Sequence, residues 1–368
     1  MKNIQQIFNN EMKSMSDEFG LDYSRVAVAV SGGADSMALL NLLNGYIKEK
    51  GGKLTALCVN HHLRAEADEE AAYVKEFSQS IGVDCQILDW EHEPLETGIE
   101  TKARSARYDL MTRWCADNDY PVLFVAHHLR DQAETFLIRL QRGSGVDGLA
   151  AMSKTIRRNG IVIARPLLYF DPRTLRDYLV SQNIEWKEDA SNQCTEFLRV
   201  RVRNILPILE RELGLSLKKI GTATKAMAET KKMFIKYVDE FIRKRCRNTY
   251  GCGWRFKPQD FDKLESEVKF RVLAELIRQV GKSEYPPEYE ALKRLQDAIM
   301  GAHFRGSTLG GCEILRFNDL IWITKESKNT ETLSKEQWRE YTALHPEVLK
   351  FRLPYKLRLN LVKKNKKK

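Results

Sequence analysis

The chain reads Val26-Ala27-Val28-Ala29-Val30-Ser31-Gly32-Gly33-Ala34-Asp35-Ser36 and continues Met37-Ala38-Leu39-Leu40, with Leu43 and Ile47 beyond. An unbroken run of small and β-branched apolar residues is the pattern of a strand buried on both faces of a parallel sheet, and the spacing that follows it is helical. Between them lies a turn of two glycines flanked by two hydroxyls. A strand, a glycine turn and a helix N-terminus offer free backbone amides to an anion, and residues without a Cβ let the backbone approach it closely. The same letters would also serve a tight strand-to-helix turn with no ligand. What points to a nucleotide is the added chemistry. Ser31 and Ser36 can donate to a phosphate, and the Asp35 carboxylate is placed to hold magnesium against it. The turn is not a Walker A loop, which needs a lysine before its Ser or Thr. The expected nucleotide-binding residues are therefore Ser31, Gly32, Gly33, Ala34, Asp35 and Ser36.

Outward from this unit, Leu54–Val59, Val83–Leu88, Val122–Ala126 and Ile161–Ala164 read as four further strands. Helical spacing over Ala67–Ile81, Gly98–Asp117 and Asp131–Leu140 separates them. Alternation at this spacing predicts an α/β fold, a parallel five-stranded sheet with helices on both faces. Ligands in such sheets sit beyond the carboxyl ends of the strands. Those ends carry polar residues here: Asn60-His61-His62-Leu63-Arg64 after the second strand and His127-His128-Leu129-Arg130-Asp131-Gln132-Ala133-Glu134-Thr135 after the fourth. Arg104 and Arg107, three apart, share one face of their helix.

Charge divides the chain. Residues 1–217 carry 26 Lys and Arg against 31 Asp and Glu, whereas residues 218–368 carry 34 against 19. Acidic-leaning chemistry first and a basic region after it suggest a catalytic domain followed by a part that meets a polyanion. A long basic helix over Leu217–Arg247 is predicted, with Met227, Phe234, Val238 and Phe241 on its apolar side and Lys231, Lys232, Lys236, Arg243 and Lys244 on the rest. Gly251-Cys252-Gly253 ends it. Helices over Lys263–Val280 and Glu288–Met300 precede a hairpin of Glu313–Phe317 and Ile321–Thr324 across Asn318-Asp319. Beyond Glu326 the composition turns polar and ends in a lysine-rich run, read as a disordered tail. The expected organisation is a catalytic domain over 1–215, a connecting helix over 216–250, a nucleic-acid-binding domain over 251–330 and a polar tail over 331–368. The seven cysteines form no C-x-x-C pair and no zinc spacing, and read as buried thiols of a reducing compartment. No apolar run is long enough to span a membrane, and the first twenty residues lack a signal-peptide core, so no membrane partner and a cytoplasmic location are expected.

Ser31-Gly32-Gly33-Ala34-Asp35-Ser36 resembles the pyrophosphatase loop of the N-type ATP pyrophosphatases, whose fold is similar to the adenine nucleotide alpha hydrolases. A narrower likeness is carried by Ala126–Thr135, Arg142-Gly143-Ser144-Gly145, Arg165-Pro166-Leu167-Leu168 and Glu188-Asp189-Ala190-Ser191-Asn192 in that order. Together these resemble the bacterial tRNA(Ile)-lysidine synthetases, and Thr308–Cys312 resembles their later domain. The resemblance implies a ligase that uses ATP and magnesium. It adenylates C2 of the wobble cytidine in an isoleucine tRNA with a CAU anticodon, and free L-lysine then displaces AMP. The product, lysidine, changes codon reading from AUG to AUA. On that reading Asp35 and Asp131 hold the metal, Arg104 and Arg107 neutralise the leaving pyrophosphate, and Glu134, His127 or His128 receives the proton of lysine. A homodimer is left open.

The strand-two ending departs from the family pattern, with Asn60 where an aspartate is usual. The strand-four segment has Ala126 for glycine and Arg130-Asp131 for paired aspartates. A tRNA thiolase of the same superfamily is the nearest rival, but it needs a persulfide cysteine or a cluster site, and Cys115 and Cys194 offer no such pair. An RNA-binding module without activity would explain the charge and leave the loop unused.

Overall fold

The computed structural model describes residues 4–62, 67–91, 99–187, 198–249, 253–283, 285–301, 303–326, 333–345 and 353–365, excluding the side chains of 99–101, 356 and 363–365. Leu63, Arg64, the Glu188–Asn192 motif, Cys194, Gly251, Cys252 and the last three lysines lie outside the described residues. Backbone contacts divide the chain into two units, Met1–Lys231 and Lys232–Lys368. The division falls inside a helix, past the boundary near residue 215 expected from composition.

The first unit begins with α1 (Ile4–Phe19), β1 (Arg25–Ala29), α2 (Ala34–Glu49), β2 (Lys53–Asn60), α3 (Ala67–Ser80), β3 (Asp84–Asp89), α4 (Ile99–Asp117) and β4 (Val122–Phe124). It continues with α5 (Leu129–Gln141), α6 (Val146–Leu149), β5 (Thr155–Arg158), β6 (Ile161–Ala164), α7 (Pro172–Ser181), α8 (Leu198–Leu213) and the first half of α9 (Leu217–Arg245). The sheet order is β3-β2-β1-β4-β6-β5. The five expected strands are all present and parallel, and a sixth, β5, pairs antiparallel with β6 at the edge.

Both faces are covered, which is why the strands read as continuous apolar runs. In β4, Val122 and Phe124 join a core with α1, α2 and α7, built on Phe8, Met12, Leu39, Leu43, Leu175 and Leu179. Leu123 and Val125 join the opposite core with Tyr108, Met111 and Cys115 of α4. The chain runs outward from β1 to β3 and then returns to place β4 on the other side of β1. That reversal opens the crevice at the carboxyl ends of β1 and β4, where ligands of such sheets bind.

The second unit contains the end of α9, β7 (Arg247–Asn248), β8 (Gly253–Phe256), α10 (Pro258–Asp262), α11 (Ser266–Gly281), α12 (Tyr289–Ile299), β9 (Gly306–Leu309), β10 (Cys312–Phe317), β11 (Leu320–Lys325), α13 (Lys335–Leu344) and α14 (Tyr355–Asn365). The expected hairpin is β10–β11. Asn318 and Asp319 both take positive φ, as a two-residue turn of this kind requires. It belongs to a five-stranded antiparallel sheet, β7-β8-β11-β10-β9. Ile321 and Ile323 pack with α11 and α12, while Trp322 faces the other way onto Tyr341, Leu353, Leu357 and Leu361. The polar tail expected over 331–368 is therefore corrected. Its described residues include two helices whose apolar side chains are buried.

Candidate functional site

The loop after β1 takes its shape from its own hydroxyls and from a distant strap. Ser36 Oγ donates to the Gly33 carbonyl at 2.9 Å and accepts from the Ser31 amide at 3.1 Å. Gly32 has φ +80°, which a side chain would resist, and its carbonyl accepts from the Lys187 amide at 3.0 Å. Gly33 then caps α2, placing Ala34, Asp35 and Ser36 in the first turn, where free amides and the helix dipole favour an anion.

Directly across the reversal, β4 delivers His127 and His128. His128 Nε2 stands 3.1 Å from Asp35 Oδ2, and its Nδ1 stands 3.3 Å from Asp131 Oδ2. Burial opposes a charge on His128, but Asp131 and Asp35 outweigh it and raise its pKa. Asp131 Oδ2 also accepts from the His128 amide at 2.9 Å, fixing the start of α5. Although burial raises the Asp131 carboxyl, the charge of His128 above all, with the backbone bond from His128 and Arg199, brings it below its ordinary value. The sequence-predicted carboxylates are thus linked through His128, which faces one with each ring nitrogen. A magnesium ion is commonly held by one or two carboxylates, with phosphate oxygens and water completing the shell. Asp35, 39% exposed in its side chain, fits that arrangement. Among the described residues no cluster of three or more His, Cys, Asp or Glu side chains forms a self-sufficient metal site.

The other wall is cationic. Arg104 Nη2 lies 3.1 Å from His127 Nε2, and Arg165 Nε donates to His127 Nδ1 at 3.3 Å. Burial is the chief cause that lowers the His127 pKa to about 3; Asp131 opposes it, and Arg165, Arg104 and Arg107 reinforce it. His127 is thus neutral at physiological pH. Arg165 was not singled out as a site residue from the sequence. It is 6% exposed and donates through Nη1 to the Ser153 carbonyl at 2.8 Å.

Glu134 is 1% exposed, and its Oε1 accepts from Arg203 Nε of α8 at 2.8 Å. Burial raises its pKa despite Arg203, and its buried Oε2 has no hydrogen-bond partner among the described residues. Arg203 is a second residue that sequence reasoning missed. His61 and His62 stand apart, at the end of β2: His62 Nε2 meets Asp89 Oδ1 at 2.9 Å, and the His61 ring packs edge-on against Trp90.

The described cysteines offer no nucleophile. Burial pushes the thiols of Cys58, Cys115, Cys246 and Cys312 up to about 12 and raises that of Cys85. No described helix is long and apolar enough to cross a membrane.

Residues 2–209 match the family model of the PP-loop domain. The chain is 35% identical to the tRNA(Ile)-lysidine synthase of Wolbachia sp. subsp. Brugia malayi (strain TRS), over 88% of this chain and 75% of that protein. It is 36% identical to the tRNA(Ile)-lysidine synthase of Ruegeria pomeroyi, over 85% of this chain and 74% of that protein. Among solved structures, the U34-tRNA thiolase NcsA from Methanococcus maripaludis superposes with a TM-score of 0.51 and 19% identity, covering 61% of this chain and 80% of that one. That likeness extends to the fold alone. The PP-loop match and the identity over most of the chain lead to one conclusion: this chain belongs to the tRNA(Ile)-lysidine synthase family of PP-loop ATP-utilising ligases.

Proposed function

We propose that the chain ligates free L-lysine to C2 of the wobble cytidine of an isoleucine tRNA with a CAU anticodon, releasing AMP and pyrophosphate, and that it acts in the cytoplasm. The observation that carries this reading is the 3.1 Å approach of Asp35, in the Ser31–Ser36 loop, to His128 at the β1/β4 reversal, next in sequence to His127 with its flanking Arg104 and Arg165, in a chain of this family.

In the first step the cytidine O2 attacks the α-phosphate of ATP, and pyrophosphate departs with its charge. The loop amides and the α2 N-terminus hold the phosphates, while Arg104 and Arg107 supply positive charge where negative charge accumulates. A magnesium ion held by Asp35 would neutralise phosphate charge further. In the second step the ε-amine of lysine displaces AMP at C2, having first lost a proton. His127, with a pKa near 3, is too weak a base for that proton. His128 is the wrong partner too, because Asp131 and Asp35 favour its protonated form. Glu134 is the remaining carboxylate: its Oε2 is without a hydrogen-bond partner among the described residues, and its basicity is raised by burial. We assign it to the lysine ammonium, with Arg203 holding it in place.

The test is AMP release from ATP in the presence and absence of free lysine and of unmodified tRNA. Dependence on both is expected, and AMP formation indifferent to lysine refutes the reading.

A further inference from the structure

Each ring nitrogen of His127 faces a guanidinium, Arg165 Nε at Nδ1 and Arg104 Nη2 at Nε2. A guanidinium only donates hydrogen bonds, and a neutral imidazole has one lone pair and one N–H. His127 therefore accepts from one arginine and opposes the other, N–H against N–H. An imidazolium would be opposed by both.

The surroundings decide which arginine His127 accepts from. Arg165 is buried, is anchored by its bond to the Ser153 carbonyl, and aims Nε–H at Nδ1. Arg104 lies on α4, half-buried, with its guanidinium 5.6 Å over the Tyr108 ring. The anchored donor takes the lone pair, which puts the proton on Nε2, facing Arg104.

We propose that Arg165 holds His127 in the Nε2–H tautomer, and that this N–H and the Arg104 guanidinium form a two-donor seat for one oxygen of an oxyanion. An acceptor between the two donors removes their mutual opposition and satisfies both. In the ligation reading, on which the choice of ligand rests, both small-molecule reactants carry such an oxygen: a phosphate of ATP and the carboxylate of free lysine. Arg165 is then a positioning residue, and His127 and Arg104 touch the ligand. The seat discriminates by charge and by acceptor geometry, not by shape, because an ammonium in that place can accept from neither donor and leaves both N–H groups unmatched.

The experiment is long-range proton–nitrogen correlation NMR on the full chain with labelled histidine, with His127 assigned through His127→Asn. The expected spectrum has Nδ1 unprotonated and the proton on Nε2. Inorganic pyrophosphate and free lysine are then added separately. The one whose oxygen occupies the seat moves the Nε2–H resonance, and the other leaves it in place. Arg165→Met is expected to give a tautomer mixture and to raise KM for that ligand about tenfold with a smaller change in kcat. Because Arg165 is buried and its loss risks misfolding, the unsubstituted chain decides the outcome. A proton on Nδ1, or an Nε2–H that responds to neither pyrophosphate nor lysine, overturns the proposal. The spectra need no turnover, so failure of lysine-dependent AMP release would refute the ligation reading and leave the tautomer result standing.

Discussion

His128 Nε2 lies 3.1 Å from Asp35 Oδ2, across the gap between the carboxyl ends of β1 and β4. Its other nitrogen faces Asp131, so one buried ring ties the nucleotide loop to the first turn of α5. Because these carboxylates raise the histidine's pKa above its ordinary 6.5 against the opposing effect of burial, the tie is strongest when the ring is charged. A raised histidine contributes stability that is complete below the unfolded value and is lost as pH rises through the folded one. Thermal unfolding is expected to show the midpoint falling as pH climbs past about 6.5. His128→Asn should remove that slope, and an unchanged slope would locate it elsewhere.

Asp35→Asn removes the partly exposed carboxylate while keeping the size of the side chain. AMP formation should fall by about two to three orders of magnitude, as when one electrostatic partner of a transition state is removed. Filter binding of the tRNA should be unchanged. A parallel loss of both would point to a folding defect.

Gly32→Ala forces a side chain into φ +80° with its Cβ 3.4 Å from Val74 Cγ2. The chain should lose about 1 kcal/mol of stability in denaturant titration. The loss in ATP affinity should be larger in proportion, since the loop that meets the phosphates must rearrange.

Arg203→Met strands the Glu134 carboxylate, which is 1% exposed. Removing one member of a buried pair costs about 3 kcal/mol. Burial already raises the Glu134 pKa, and losing Arg203 raises it further, so the penalty should shrink at low pH as Glu134 takes a proton and grow as pH rises. Denaturant midpoints of wild type and variant at acid and neutral pH measure this directly.

Lys232, Lys236 and Arg243 line a groove of about 580 Å³ along α9, together with Ile235, Asp239 and Glu240. Replacing the three cations by alanine should weaken tRNA binding and reduce the salt slope by roughly 0.7 to 0.9 for each phosphate that is no longer neutralised. Lys231, which stands 3.9 Å from Asp147, is expected to contribute less. ATP binding measured in the absence of tRNA should stay constant.

The first unit was legible because buried parallel strands write themselves as apolar runs: β1, β2, β4 and β6 need no partner to be recognised. β5 could not be read in the same way. Its Thr-Ile-Arg-Arg sequence sits at an edge and is held by tertiary interactions such as Arg158 with Asp109 at 2.9 Å. The helices α13 and α14 were hidden by composition. Lysines around Leu357 and Leu361 suggested a solvated tail, yet those leucines share one buried side, four residues apart. At the site, the loop, Asp35 and the His127–Glu134 segment stood out as motifs. Arg203 did not, because it is one of three arginines in Leu-Arg-Val-Arg-Val-Arg, and only packing shows which of them reaches Glu134.

The hydrogen bond from the Lys187 amide to the Gly32 carbonyl has a consequence for biosynthesis. On the ribosome, β1 and α2 emerge long before Lys187, so the nascent chain cannot complete the anion-holding turn when its glycines appear. Closure of so non-local a bond must wait until β6 and α7 have been made. The strap over Gly32 is therefore among the last contacts of this loop to form, and premature termination before Lys187 would leave the Gly32 carbonyl without that bond.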